Sequence, residues 1–330
     1  MEKKTESLVH VQGLSVGFRV FEGLLKVLQE LSLQIRPGER VGLVGETRCG
    51  KTTTMKSILR VLPQPPAVLF GGEVLYRGKD VLKMSRRAIY QLRRSSIAAI
   101  FQDPLQALNP VFTVGTQLTD IVRDWAAGTG KKMSRKEIFQ RCVEALAQTG
   151  MPDPERIMTC YPIQLSGGMR QRVCIAAALV RPIELLLADE PTTNLDVTIQ
   201  DQILRKLDEL VEERGMSILL ITHSLGVVMD RTERVYIMYA GSIVEEGQTK
   251  EIFANPLHPY TKGLLKSAPR LTGEGISQGI PGRVPSYLDP PSGCRFHPRC
   301  EFSMPICQKE RPPLLTMEES HQVACFLYQG

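Results

Sequence analysis

No apolar run in this chain approaches the roughly 18 residues needed to cross a bilayer, and the N-terminal MEKKTESLVHV lacks the apolar core of a secretory signal. These absences lead to the expectation of a chain that stays in the cytoplasm. No internal repeat is detectable, so a solenoid is not expected. Charge of one sign is not concentrated anywhere either. Against a formal net charge of +6, the stretch from Pro256 onward holds 8 basic and 6 acidic residues. That balance argues against a dedicated nucleic-acid surface. What remains is ordinary globular material: 330 residues, 42% hydrophobic and 23% charged, enough for one large domain and a smaller one. Of the eight cysteines, Cys49, Cys142, Cys160 and Cys174 are scattered, whereas Cys294, Cys300, Cys307 and Cys325 crowd into the last 37 residues.

From Val9 to about Gly247, short β-rich runs alternate with segments of helical period, the pattern of a layered α/β nucleotide-binding domain. VHVQGLSVGF, LSLQI and GEVLYRGKD are spaced by turn residues and read as antiparallel strands of a side sheet. VGLVG (41–45), IAAIF (97–101), LLLAD (185–189) and ILLIT (218–222) read as parallel strands buried on both faces. Residues 113–180 are mostly helical by pattern, including KEIFQRCVEALAQTG with its terminal glycine, and predict an inserted helical subdomain spanning about 105–180. Residues 269–293 are rich in Pro, Gly and Ser and read as an extended linker. The division expected is therefore 1–255 for the nucleotide-binding domain and 256–330 for a small Cys-rich C-terminal extension.

Gly45-Glu46-Thr47-Arg48-Cys49-Gly50-Lys51-Thr52 fits the P-loop pattern, following the VGLV run and preceding the helical TTTMKSILRVL. A triphosphate favours convergent backbone N–H groups at a helix N-terminus, with glycines where side chains would block its approach. Lys51 adds a point charge toward the outer phosphates, and Thr53 follows in the same first turn. The Thr52 hydroxyl is the expected Mg²⁺ ligand, with Asp189 holding the ion's water shell. Glu190, next in sequence, is the candidate to align and polarise the attacking water. Taken alone, a glycine-rich loop is also a tight turn, and an acidic residue at a strand end is ordinarily just solvated.

Leu165-Ser166-Gly167-Gly168-Met169-Arg170-Gln171 resembles the signature motif of ABC ATPases and lies about 20 residues before Asp189-Glu190. Ser166 is placed to cap the following helix, and Gly167 and Gly168 leave bare N–H groups at its positive end, a second phosphate-binding surface. Two half-sites on one domain imply a second domain turned head to tail, with ATP between them. The resemblance extends in order to Gln102 in IFQDP as the Q-loop, also a Mg²⁺ contact, Asn194-Leu195-Asp196 as the D-loop, and His223 in LLITH as the switch histidine. By the same resemblance an aromatic near the N-terminus stacks on adenine, for which Phe18 is the candidate, then Phe21. EPTTNLDVTIQ, ITHSLGVV and NPLHPYTKGLLKSAPRL are similar to the ATPase subunits of dipeptide, oligopeptide and nickel importers. The resemblance implies ATP hydrolysis powering uptake of peptides, a related or identical second ATPase subunit, two membrane permeases and an extracytoplasmic binding protein, and a peripheral place on the cytoplasmic membrane face. The alternative is an ABC ATPase acting on nucleic acid or ribosomes. Three positions depart from the pattern: Arg48 where glycine is usual, Asn194 for alanine and Ser224 for aspartate.

Cys294, Cys300, Cys307 and Cys325 are separated by 5, 6 and 17 residues. Four thiolates are what a [4Fe–4S] cluster requires. Structural Zn²⁺ takes four as well, but its short 2–4-residue spacing is missing, and unligated thiols are the third reading. The tail of the importer subunits bears cysteines and in some members carries such a cluster. With few apolar residues and many prolines nearby, metal ligation is expected to supply the order of this segment.

Overall fold

A computed structural model of the chain describes residues 7–192, 195, 197–267, 279–318 and 320–329. In chain order the strands are β1 (Val9–Val20), β2 (Gly23–Ile35), β3 (Arg40–Val44), β4 (Ala67–Tyr76), β5 (Lys79–Asp80), β6 (Ile97–Ile100), β7 (Leu185–Asp189), β8 (Ser217–Thr222), β9 (Arg234–Tyr239), β10 (Ser242–Gln248), β11 (Leu315–Glu318) and β12 (His321–Val323). They are distributed over two compact units. One gathers residues up to Arg36, 40–83 and 220 onward; the other gathers 37–39 and 84–219. The division falls at 83/84 and 219/220, and the described part of 256–330 lies inside the first unit.

In the first unit, β1 and β2 form a hairpin whose register runs from Val9 opposite Ile35 to Val20 opposite Gly23, and β4 and β5 complete an antiparallel sheet of order β2-β1-β4-β5. This is the expected side sheet. A second strand run has the order β11-β12-β10-β9-β3. Its inner pair, β3 and β9, is parallel, with Val41 opposite Arg234 and Val44 opposite Ile237; the remaining pairs are antiparallel. Val41, Leu43 and Val44 are all fully buried, as a strand covered on both faces requires.

The second unit holds parallel β6 and β7, Ile97 opposite Leu185, and the first half of β8, which neighbours β7. The helices expected over 113–180 are present. Among them are Val114–Thr129, Arg135–Gln148, Pro154–Thr159 and Gly167–Leu179, which bury Leu118, Val122, Cys142, Leu146 and Val173 in one core. Helix Arg135–Gln148 starts on a reciprocal cap. The Ser134 N–H donates to Glu137 Oε2 at 2.6 Å and the Glu137 N–H to Ser134 Oγ at 3.3 Å, satisfying two amides that the helix cannot.

The C-terminal segment differs from the sequence expectation. Its described part is held by an apolar and hydrogen-bonded interface of its own, while residues 269–278 of the expected linker lie outside the described residues. Phe296 is 3% exposed and its ring packs 5.0 Å from Tyr239 and 5.5 Å from Tyr260. β12 pairs with β10, Glu245 opposite Val323. Glu245, fully buried, accepts from the N–H groups of Leu257 (2.7 Å) and His258 (3.0 Å) and meets His321 Nε2 at 2.8 Å. His321 Nδ1 lies 3.3 Å from Glu251. Long-range contacts of this kind leave no local periodicity, so composition alone underrated the segment.

His258 is buried, and its Nδ1 accepts the Tyr260 N–H at 3.0 Å. Burial, aided by Lys262, pushes its pKa down to about 3. The unfolded chain titrates this group near 6.5 and so binds a proton first as pH falls. The stability due to the neutral ring is complete above about pH 6.5 and is lost progressively as pH drops toward 3, at no more than ~1.4 kcal/mol per pH unit. His258→Asn, which keeps an acceptor, should lose about 2 kcal/mol less than the parent between roughly pH 6.5 and pH 5; urea unfolding at the two values measures the difference.

Candidate functional site

β3 delivers the chain into the loop Gly45–Gly50, and helix Lys51–Ile58 leaves from it. The glycines are dictated by space and backbone. A Cβ on Gly45 would sit 2.1 Å from the Met238 carbonyl oxygen and 2.8 Å from Cys49 Sγ, while Gly50 has φ 112°, a conformation that side chains disfavour. Lys51 is 6% exposed. Its Nζ donates to the carbonyls of Gly45 (2.7 Å) and Glu46 (3.0 Å), so its charge is held inside the ring of the loop. Thr52 and Thr53 are half-buried in the first helical turn, whose amides point toward the mouth of the loop. Cys49 is buried beneath it, its thiol pushed up chiefly by burial. Glu46 turns away, toward Arg299.

Arg48 has φ 67°. The left-handed conformation that glycine would adopt freely is therefore imposed on an arginine, at a cost of about 1–2 kcal/mol. Replacing it relieves that cost and adds roughly 0.5–1 kcal/mol of unfolded-chain entropy. Arg48→Gly should thus raise stability by ~0.5–1 kcal/mol, read as a higher urea midpoint at unchanged slope.

The second unit carries Gln102, Ser166, Gly167, Gly168, Gln171, Asp189 and Glu190. Ser166 caps helix Gly167–Leu179, its Oγ accepting the Met169 N–H at 3.3 Å. A Cβ on Gly167 would come no nearer than 4.0 Å to another group, and one on Gly168 no nearer than 3.4 Å. Among the described residues no packing contact demands glycine at either position, which leaves the bare backbone open to something that approaches from outside. Gln171, grouped by sequence with the nucleotide-binding residues, is 2% exposed, and its Nε2 donates to the Pro191 carbonyl. It ties the capped helix to the turn after Asp189 and Glu190 and does not reach the surface. Asp189 is 2% exposed at the end of β7; Glu190 follows with φ 48°, a strained value for glutamate. Gln102 lies exposed in a bend after β6, and His223 lies exposed after β8, in the first unit. Asn194 and Asp196 lie outside the described residues.

Phe18, half-buried near the end of β1, pairs across the sheet with Leu25 and Ala67, and Phe21 is fully exposed. The four C-terminal cysteines are brought together. Cys294, Cys300, Cys307 and Cys325 line one small cavity with His258, Phe296 and Phe326. Burial raises Cys294 to about 11, and the other three thiols push in the same direction. Among the described residues no group of three or more His, Cys, Asp or Glu is arranged to hold a metal ion, so neither the [4Fe–4S] nor the Zn²⁺ expectation has support from a ligating geometry. Sequence reasoning missed Tyr260, Tyr287 and Arg299, which all touch the phosphate loop; their partners there lie 214, 239 and 253 positions away along the chain.

Comparison with known proteins agrees with this geometry. Residues 28–193 match the ABC transporter family model, and residues 244–307 match the oligopeptide/dipeptide transporter C-terminal region. The dipeptide transport ATP-binding protein DppD of Bacillus subtilis is 42% identical over 98% of this chain and 95% of its own length. The oligopeptide transport ATP-binding protein OppD of the same organism is 40% identical over 97% and 88%. Among solved structures, the dimeric ATP-binding cassette MJ0796 bound to ADP and phosphate superposes with a TM-score of 0.65 at 26% identity, covering 73% of this chain and 98% of the other. The cassette cbiO1 of Clostridium perfringens gives 0.62 at 28%, covering 76% and 92%. With a phosphate loop, a capped Ser-Gly-Gly helix and the C-terminal region all in one polypeptide, the chain belongs to the family of ABC transporter ATP-binding proteins.

Proposed function

We infer that this chain is the ATP-hydrolysing motor subunit of an importer of dipeptides and oligopeptides. The observation that carries the reading is the union of the loop Gly45–Thr52 with the uncrowded Gly167 and Gly168 at a capped helix N-terminus, in a chain that also matches the peptide-transporter C-terminal region. The loop amides and Lys51 bind the phosphates of ATP. Release of the Lys51 ammonium from the Gly45 and Glu46 carbonyls lets it meet the outer phosphates. Thr52 and Asp189 supply hard oxygen donors suited to Mg²⁺, and the ion would neutralise phosphate charge. Glu190 accepts the proton of the attacking water, with Gln102 and His223 assisting at the γ-phosphate. Phe18 stacks on adenine. Ser166, Gly167, Gly168 and Asp196 serve the ATP held by the partner ATPase in a head-to-tail dimer.

Two membrane permeases and an extracytoplasmic binding protein complete the assembly, with this subunit on the cytoplasmic membrane face. Among the described residues no helix is long and apolar enough to cross a membrane. Residues 1–255 serve as the motor and 256–330 as its extension. The four cysteines share one cavity lining, which is what supports a [4Fe–4S] cluster there, with Zn²⁺ as the alternative; either would cross-link the tail. Nothing in the site favours action on nucleic acid or ribosomes.

Anaerobic co-purification with the permeases is the test. Hydrolysis stimulated by a dipeptide-loaded binding protein, with iron and sulfide near four each, is the expected result. Stimulation by nucleic acid in place of the permeases would overturn the motor reading, and an iron-free tail would overturn the cluster.

A further inference from the structure

The phosphate loop is gripped from the C-terminal segment at several points. Arg299 makes a two-pronged ion pair with Glu46, Nη1 to Oε2 at 2.8 Å and Nη2 to Oε1 at 3.0 Å. The Arg299 side chain is only 5% exposed and that of Glu46 25%. The guanidinium is itself fixed by the carbonyls of Ile280 (3.1 Å) and Pro281 (2.8 Å). The backbone of the loop is held as well. The Glu46 N–H donates to the buried Tyr260 hydroxyl at 3.0 Å, and the Tyr287 hydroxyl donates to the Arg48 carbonyl at 2.9 Å. These are the two loop positions on either side of Thr47.

We propose that the C-terminal segment is a clasp on the phosphate loop, in which Arg299 is a positioning residue that sets ATP affinity through Glu46. A planar fork matched to a carboxylate fixes direction as well as distance. Glu46 is the second residue of the loop, so the direction of its backbone amide follows the side chain that Arg299 holds. The clasp also offsets the strain at Arg48, because the carbonyl of that residue is one of its anchor points. Arg299 directly precedes Cys300, so any change of packing at the cysteine cavity is transmitted to the loop through one residue. The clasp rests on the ATPase reading but needs nothing bound at the cysteines.

The test compares the full-length parent with Arg299→Ala, Arg299→Lys, Glu46→Gln, the Arg299→Ala/Glu46→Gln double variant and Tyr287→Phe. Direct binding of a fluorescent ATP analogue is measured beside steady-state hydrolysis. Arg299→Ala should raise Kd and KM for ATP by about 5- to 20-fold, the range of a modest coupling between sites, with kcat at saturation within about twofold. Lysine should restore only part of the affinity, since it cannot form the fork. The double variant should lose no more than the worse single one, as members of one network do. Tyr287→Phe, which removes one oxygen and keeps the packing, should raise Kd by about 2- to 5-fold. Unchanged affinity in both Arg299→Ala and Tyr287→Phe, or a fall in kcat with constant KM, would overturn the clasp. A parent chain that fails to bind the analogue would overturn the ATPase reading along with it.

Discussion

Glu190→Gln should bind ATP as tightly as the parent and hydrolyse it about 10²- to 10⁴-fold more slowly, the span usual for losing a positioned general base. The amide matches the carboxylate in size, so packing next to buried Asp189 is preserved, but it cannot accept the water's proton. Glu190 is held at φ 48°, and a non-glycine residue kept there is compatible with a side chain whose direction matters. Because ATP persists in the variant, the head-to-tail dimer should accumulate on adding Mg·ATP, visible by light scattering. Phosphate release at the parent rate would remove Glu190 from the chemistry. Release slowed equally in Glu190→Ala and Glu190→Gln, with loss of ATP binding in both, would instead make it a structural residue of the turn.

The largest stability loss is expected at His321→Ala, about 3–5 kcal/mol. The Glu245 carboxylate, fully buried, would keep its two backbone donors and lose the imidazole 2.8 Å away. Glu251, 3.3 Å from the other ring nitrogen, would lose that contact and keep the Ser320 hydroxyl at 3.2 Å. Removing one member of a buried polar group costs far more than the bond itself contributes, because the remaining charge is stranded without water. His321→Gln, which can still donate to Glu245, should recover more than half of the loss. Urea midpoints of the three proteins decide this. If alanine and glutamine variants are equally destabilised, the loss belongs to packing and not to the carboxylate.

The parts of the fold that were legible in the sequence are those with short-range causes. LLLAD at 185–189 is β7 to the residue, and VGLVG, IAAIF and ILLIT are β3, β6 and β8 within one residue at each end. The turn-punctuated early runs form the antiparallel sheet that their spacing implied. β9 and β10 were not singled out, since RVYIMY mixes charge and hydroxyls into a strand that is nonetheless wholly buried. Its Tyr236 hydroxyl accepts the Gln34 N–H at 2.9 Å, a partner 202 residues away. At the site, glycine positions and the capping serine were readable because their causes are local. The Gln171 amide and the Arg299 fork were not, because what commits each side chain is a neighbour brought in by the fold.

The short hairpin β11–β12 also has a consequence for solubility. β12 lies along β10 and occupies backbone donors and acceptors that would otherwise face outward from β10. In its place the outermost strand is β11, four residues long, with Thr316 and Met317 exposed. Brevity of this kind is a poor template for another chain. A chain cut before Leu315 would bare the β10 edge at 244–246 and leave its backbone groups open to strand-to-strand association between copies. The C-terminal hairpin is therefore a guard against aggregation as well as a piece of the fold.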